Sequence, residues 1–247
     1  MGETIAVKTA EGVADSYLAK PDDGRPHPGV LFLIDAYGLR PQIESMVDRI
    51  AAAGYVVLAP NVFYRAGKAP VISLEGLDDP DRRGEVFGRV MPLIRELSTE
   101  RIVADAAAYL GKLQDEADGG EVAVTGYCMG GRLGWRIAAA YPDRVAGLGC
   151  FHTGGLVTDD DESPHLSARE LDAELYLGFA DHDRSATPEQ IATVEGALRA
   201  AGKEFRAEVY ADADHGYTMA DTPAYDEGAA ERAYTELSAL LSRTVAA

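Results

Sequence analysis

Two short segments that are apolar at nearly every position, GVLFLI at 29–34 and YVVLAP at 55–60, flank a stretch of different period. In that stretch, PQIESMVDRIAAAG at 41–54, Ile43, Met46, Val47 and Ile50 recur at helical spacing. Pro41 suits a first helical position and Gly54 a helix stop. A strand apolar on both faces needs cover on both faces, which a parallel sheet between two helical layers supplies. This constraint excludes most all-α and all-β arrangements.

The same alternation runs down the chain. STERIVADAAAYLGKLQ at 98–114 reads as a helix capped by Ser98 or Thr99. EVAVTG at 121–126 reads as a strand and MGGRLGWRIAAAYP at 129–142 as a helix. VAGLGCF at 145–151 and ELYLGFA at 174–180 read as strands. TPEQIATVEGALRAAG at 187–202 is a helix opening on Thr187-Pro188, and FRAEVYA at 205–211 is a strand. AYDEGAAERAYTELSALLSR at 224–243 closes the chain as a helix. TIAVKT and VADSYLA, in the first 20 residues, read as an edge hairpin. Residues 61–97, containing DDPDRRGE and the amphipathic VFGRVMPLIREL, break the rhythm and are expected as an excursion over the sheet. A mainly parallel, doubly wound α/β sheet is therefore expected. With 247 residues, 47% of them hydrophobic, one packed domain spanning 1–247 accounts for the whole chain.

Cys128 falls directly between the strand EVAVTG and the helix beginning at Met129, with Gly126 and Gly130 two residues to either side. A nucleophile on a sharp strand-to-helix turn requires small residues at those two positions. The helix N-terminus would favour a thiolate, and the Met129 N–H would serve an oxyanion. The competing reading is a small buried cysteine. Two later residues weigh against it, because each follows a strand, where sites form in parallel sheets. Asp181 follows ELYLGFA, and His215 lies a short loop beyond FRAEVYA. Nucleophile, acid, histidine is the chain order of the α/β-hydrolase triad. His215 would take and return the proton while Asp181 orients it. Asp183 is the alternative acid, and His182 between them reads as a solvated loop residue.

With GYCMGG, GFADHDRS and HGYTMADTPAYDEGAAERAY in place, the chain resembles the dienelactone hydrolase family of α/β-hydrolases, which use a Cys-His-Asp triad. The resemblance spans nearly the whole length. It implies Cys128, Asp181 and His215 as the triad and the Ala36 N–H as second oxyanion donor. It also implies that Asp35, where relatives often carry Glu, contacts the resting thiol and gives way to substrate. A carboxylate capping the turn DAYG is the plainer role for Asp35. The family binds its substrate carboxylate with two arginines. The first falls in DPDRRGE, on Arg82 or, preferably, Arg83. The second would stand four residues after the histidine, where this chain has Met219. Half the anion clamp is thus missing, and a less charged or more apolar ester or lactone suits a methionine better.

The formal charge of −18 argues against nucleic-acid and anionic-membrane partners, which need basic patches. Two cysteines make no disulfide framework, and MGETIAVKTAEG shows neither signal-peptide nor myristoylation pattern, so a cytoplasmic home is expected. No apolar run approaches the ~18 residues of a membrane span. Cys150 and Trp135 read as packing, His152 as a loop histidine able to line the pocket. DDDE at 159–162 lacks the ligand spacing of a calcium loop and reads as solvated. No phosphate-binding, dinucleotide or zinc pattern appears, so no cofactor or metal is expected. The expected activity is that of a carboxylic ester hydrolase, opening a small lactone or ester through an acyl-cysteine, by resemblance in aromatic compound degradation. The alternatives are a broader carboxylesterase or thioesterase, and a non-catalytic thiol sensor or binding protein. A monomer or small homo-oligomer is expected.

Overall fold

The computed structural model describes residues 2–245. Strands β1 (Glu3–Lys8) and β2 (Val13–Ala19) form the expected hairpin. Strands β3 (Gly29–Leu33) and β4 (Val56–Pro60) are buried at every position, as their apolar runs require. Helix α1 (Pro41–Ala52) lies between them, begins on Pro41 and buries Ile43, Val47, Ile50 and Ala51. After β4, residues 61–82 pass through turns into α2 (Arg83–Glu96), whose Val86 and Val90 are buried. Helix α3 (Thr99–Glu116) starts at Ser98, whose hydroxyl accepts the Arg101 N–H.

The chemistry-bearing half follows. Strand β5 (Val122–Tyr127) runs directly into α4 (Met129–Ala140), and β6 (Val145–Phe151) returns beside β5. Strand β7 (Glu174–His182) leads to α5 (Pro188–Ala200), where Thr187 and Gln190 close a reciprocal capping box. Strand β8 (Phe205–Asp214) precedes the last helix, α6 (Glu227–Thr244). All eight strands join one sheet in the order β1-β2-β4-β3-β5-β6-β7-β8. The pairs from β4 to β8 are parallel, and β2 pairs antiparallel with β1 and β4. Consecutive β6 residues show the two helical layers. Leu148 packs toward Gly134 of α4, and Gly149 lies against Leu237 and Leu240 of α6.

Two strands outrun their expected ends. β7 continues two residues past Ala180 and β8 three past Ala211, because the extensions pair with each other, His182 opposite Asp214 after an irregularity at Ala180. The apolar run ends earlier because both extensions are mostly exposed and carry polar side chains.

The β5–α4 junction has no space for a side chain at Gly130. A Cβ there would overlap the backbone carbonyls of Leu33 and Ile34 at the end of β3. Relief would need backbone movement in the central strand, so Gly130→Ala is expected to lower stability by about 3 kcal/mol. Urea denaturation checks this, and an unchanged midpoint would mean that the junction is looser than its packing indicates.

Candidate active site

Cys128 sits alone between β5 and α4, with φ 53° and ψ −118°. Positive φ on a non-glycine residue is strained, and its surroundings hold it. The Cys128 N–H donates to the Phe151 carbonyl at 3.0 Å, tying the turn to β6. A Cβ on Gly126 would overlap the Gly130 carbonyl, so the turn closes only with glycine there. The first amides of α4, starting with Met129, have no acceptor within their own helix.

The His215 ring bridges two side chains. Its Nε2 lies 3.0 Å from Cys128 Sγ, and its Nδ1 lies 2.6 Å from Asp183 Oδ2. The carboxylate bonded to His215 is therefore Asp183, which corrects the expectation of Asp181. Asp181 is exposed, and its Oδ2 accepts the Asp212 N–H at 3.1 Å. The reason is the length of β7. Asp181 still belongs to the strand, and the loop that turns toward His215 begins at Asp183. The Asp183 carboxylate is almost fully buried and also accepts the Ser185 N–H at 2.7 Å and hydroxyl at 2.6 Å. The Asp-x-Ser spacing in DHDRS is a turn signal that could have singled out Asp183. His182 is exposed, at the end of β7 rather than in the loop, with Nδ1 3.4 Å from Asp214.

Electrostatics follow from this chain of contacts. Burial opposes a charged His215, but a negative Cys128 and the Asp183 hydrogen bond and charge push its pKa up to about 11. Burial likewise opposes a charged Asp183, and the His215 and Ser185 donors outweigh it, holding the carboxyl below its usual value. These contacts thus favour imidazolium at His215 beside carboxylate at Asp183. His152 is completely buried and lies edge-on to His215, 5.4 Å between ring centres. Its Nε2 is 2.7 Å from the Thr218 hydroxyl, and burial, with the nearby His215 charge, keeps the ring neutral. Cys150 is buried, its thiol raised by burial to about 12, and Trp135 is buried with its indole N–H donating to Ser167.

A cavity of about 260 Å³ opens over Cys128 and His215. Tyr37, Leu77, Phe87, Met219 and Pro223 give it an apolar wall. Arg83 also lines it, with Nε donating to the Leu77 carbonyl at 3.1 Å, whereas Arg82 lies on the surface near Glu75 and Glu85. Ala36 lines the cavity beside Asp35.

Asp35 forms no hydrogen bond to Cys128, which corrects the expected contact with the resting thiol. Its carboxylate is turned to Arg40, which donates from Nη1 at 2.6 Å and Nη2 at 3.0 Å. It also accepts the Tyr37 N–H at 3.0 Å, the turn-capping role read from DAYG. Arg40 reaches Asp221 as well, through Nε at 2.7 Å and Nη2 at 3.0 Å. Neither Arg40 nor Asp221 stands in a motif, and their contact across 181 residues leaves no local sequence signal. Among the described residues, Asp181, His182 and Asp212 bring ligand-type atoms within 4.8 Å of one another, all of them exposed.

The sequence profile of the dienelactone hydrolase family matches residues 14–245. The chain belongs to that family. It is accordingly a dienelactone hydrolase-like enzyme acting on carboxylic esters. A Methylorubrum extorquens protein named "Putative carboxymethylenebutenolidase" is 27% identical over 227 residues, covering 90% of this chain and 74% of that protein. Two solved structures share the fold of this dienelactone hydrolase family member. One, titled "Putative Dienelactone Hydrolase" from Klebsiella pneumoniae, has a TM-score of 0.83 at 23% identity, covering 98% of each chain. The other, a dienelactone hydrolase-like promiscuous phosphotriesterase from metagenomic libraries, has 0.77 at 21% identity, covering 99% of this chain and 98% of the other. Among the described residues, no helix is long and apolar enough to cross a membrane.

Proposed function

We propose that the protein opens small lactones or esters by nucleophilic catalysis from Cys128, with His215 as base and acid and Asp183 as its orienting carboxylate. The observation that carries this reading is the continuous hydrogen-bonded chain from Cys128 Sγ through His215 to Asp183. His215 takes the Cys128 thiol proton, the sulfur attacks the carbonyl carbon, and the carbonyl electron pair moves onto oxygen. The Ala36 and Met129 amides stabilise that oxyanion. Its collapse expels the alkoxide or enolate, which takes a proton from His215 and leaves an acyl-cysteine. His215 then removes a proton from water, whose attack frees the acid and restores the thiol.

The cavity supports a mostly apolar substrate carrying at most one carboxylate. Arg83 is its available cation, because Arg40 is engaged by Asp35 and Asp221 and the other clamp position is Met219. That composition suits a dienelactone-like enol-lactone of aromatic breakdown. Met219 favours a second reading, a broader carboxylesterase or thioesterase for neutral esters. Residues 1–247 form one domain in this reading, with 61–97 as the excursion that brings Arg83 and Phe87 to the cavity. A cytoplasmic monomer or small homo-oligomer is the matching setting, where the free thiol stays reduced.

The test compares cis- and trans-dienelactone with a neutral aryl ester, with rapid quenching and mass analysis of the Cys128 peptide. Lactone turnover at least about tenfold above the ester, with an acyl adduct on Cys128, is the expected result. Ester turnover alone would move the substrate to neutral esters. Turnover of neither would replace the enzymatic reading with that of a thiol sensor or binding protein.

A further inference from the structure

Arg40 is held by two carboxylates at once, and each belongs to a different wall of the cavity. Asp35 precedes Ala36 and Tyr37 on one side, and Asp221 lies between Met219 and Thr222 on the other. The Asp35 half of the cluster is fully buried, whereas Asp221 is partly open to solvent. A buried ion pair is a poor source of stability compared with apolar packing, so its location beside the nucleophile calls for a different account.

The account is electrostatic. Asp35 and Cys128 line the same cavity, and an unpaired buried carboxylate there would oppose a second negative charge on sulfur. The guanidinium fork meets Asp35 with two donors, so the pair is neutral toward the cavity. The remaining charge, on Asp221, faces water and is screened. The same contact orients Asp35 so that it accepts the Tyr37 N–H, and the Gly38 N–H closes the turn on the Asp35 carbonyl at 3.2 Å. Ala36 lies inside that turn.

We propose that Arg40 is a positioning residue of the active site: it cancels the charge of Asp35 beside Cys128 and locks the turn that presents the Ala36 amide. The proposal rests on Cys128 being the nucleophile, but its test reads the thiol directly and needs no substrate. Other charged or titratable groups around Cys128 are His215 and Asp183, His152 behind them, Tyr37 and Arg83 across the cavity, and Arg132 on α4. None of these is altered in the variants.

The experiment measures the rate of Cys128 alkylation by iodoacetamide against pH, with the product read on the Cys128 peptide. In Arg40→Met the midpoint is expected to rise by about one pH unit, so alkylation well below the midpoint slows about tenfold. In Asp35→Asn/Arg40→Met the rate is expected to return to within about threefold of wild type, because no buried carboxylate is left unpaired. A wild-type midpoint in Arg40→Met, or a double variant as slow as the single one, overturns the proposal. Circular dichroism reports whether Arg40→Met folds. If it does not, Arg40→Gln, which keeps a donor for Asp35 but not the charge, decides: a midpoint raised by about half a unit or more supports the proposal, and a wild-type midpoint overturns it.

Discussion

Cys128→Ala is expected to lower kcat/KM for any hydrolysed ester by a factor on the order of 10⁴–10⁶. On the proposed mechanism, removal of the sulfur eliminates the covalent step and leaves only binding and whatever the backbone amides contribute. Among the cavity residues, no other side chain lies within a hydrogen bond of His215 and is able to take over as nucleophile. Stability is expected to change by less than about 1 kcal/mol, because Cys128 is only half-buried and the strained turn is held by its neighbours. Cys128→Ser is the informative companion, since it keeps the shape but presents a hydroxyl of much higher pKa. Steady-state kinetics on both, with matched denaturation curves, separates chemistry from folding. An alanine variant retaining more than a tenth of the activity would show that hydrolysis occurs elsewhere on the protein.

Asp183→Asn is expected to lower kcat by roughly 10³–10⁴-fold, and Asp181→Asn to leave it within about threefold. Only Asp183 touches the imidazole, and an asparagine amide in its place could favour the wrong tautomer at Nδ1. Equal effects from the two variants, or a larger one from Asp181→Asn, would contradict the geometry described here. A second signature belongs to the same residue. The folded pKa of Asp183 lies below its ordinary value near 3.8, so the folded state binds this proton less readily than the unfolded chain. The resulting stabilisation is present above the unfolded pKa and disappears as pH falls through the folded one. The stability difference between wild type and Asp183→Asn is therefore expected to hold steady from about pH 5 to 7 and to shrink below about pH 4. A difference that grows on acidification would reverse the assigned direction.

How much of this was readable beforehand depended on whether the signal was local. Runs such as GVLFLI and YVVLAP, short and set between turn signals, read as strands covered on both faces, so the sheet and its helical layers followed from short stretches. The elbow was equally local, since Gly126, Cys128 and Gly130 carry its steric requirement within five residues. The position of His215 followed from its place just beyond β8. The acid was misplaced because β7 ends on polar, exposed residues that stay paired only through β8. That pairing is a non-local fact. Asp35 was assigned to the thiol because nothing near it reveals Arg40 and Asp221 as one cluster. Its engagement depends on a loop brought in from 181 residues away. His152 was legible as a pocket residue, but not its burial or its bond to Thr218, which depend on where the β8–α6 loop crosses.

The paired extension of β7 and β8 also bears on how such chains can diverge. Asp183 and His215 each come one residue after a matched pair, His182 opposite Asp214. The spacing between the Asp183 carboxylate and the His215 imidazole is therefore set by a ladder of backbone hydrogen bonds, much as the jaws of a caliper are set by its rule. One residue gained or lost in either strand would slide the jaws apart by a full step of about 3.3 Å. The turns at 61–82 and the exposed stretch at 159–162 carry no such gauge. Changes of length can accumulate in those segments while the chemistry stays aligned, and the first of them leads into the helix that brings Arg83 and Phe87 to the cavity.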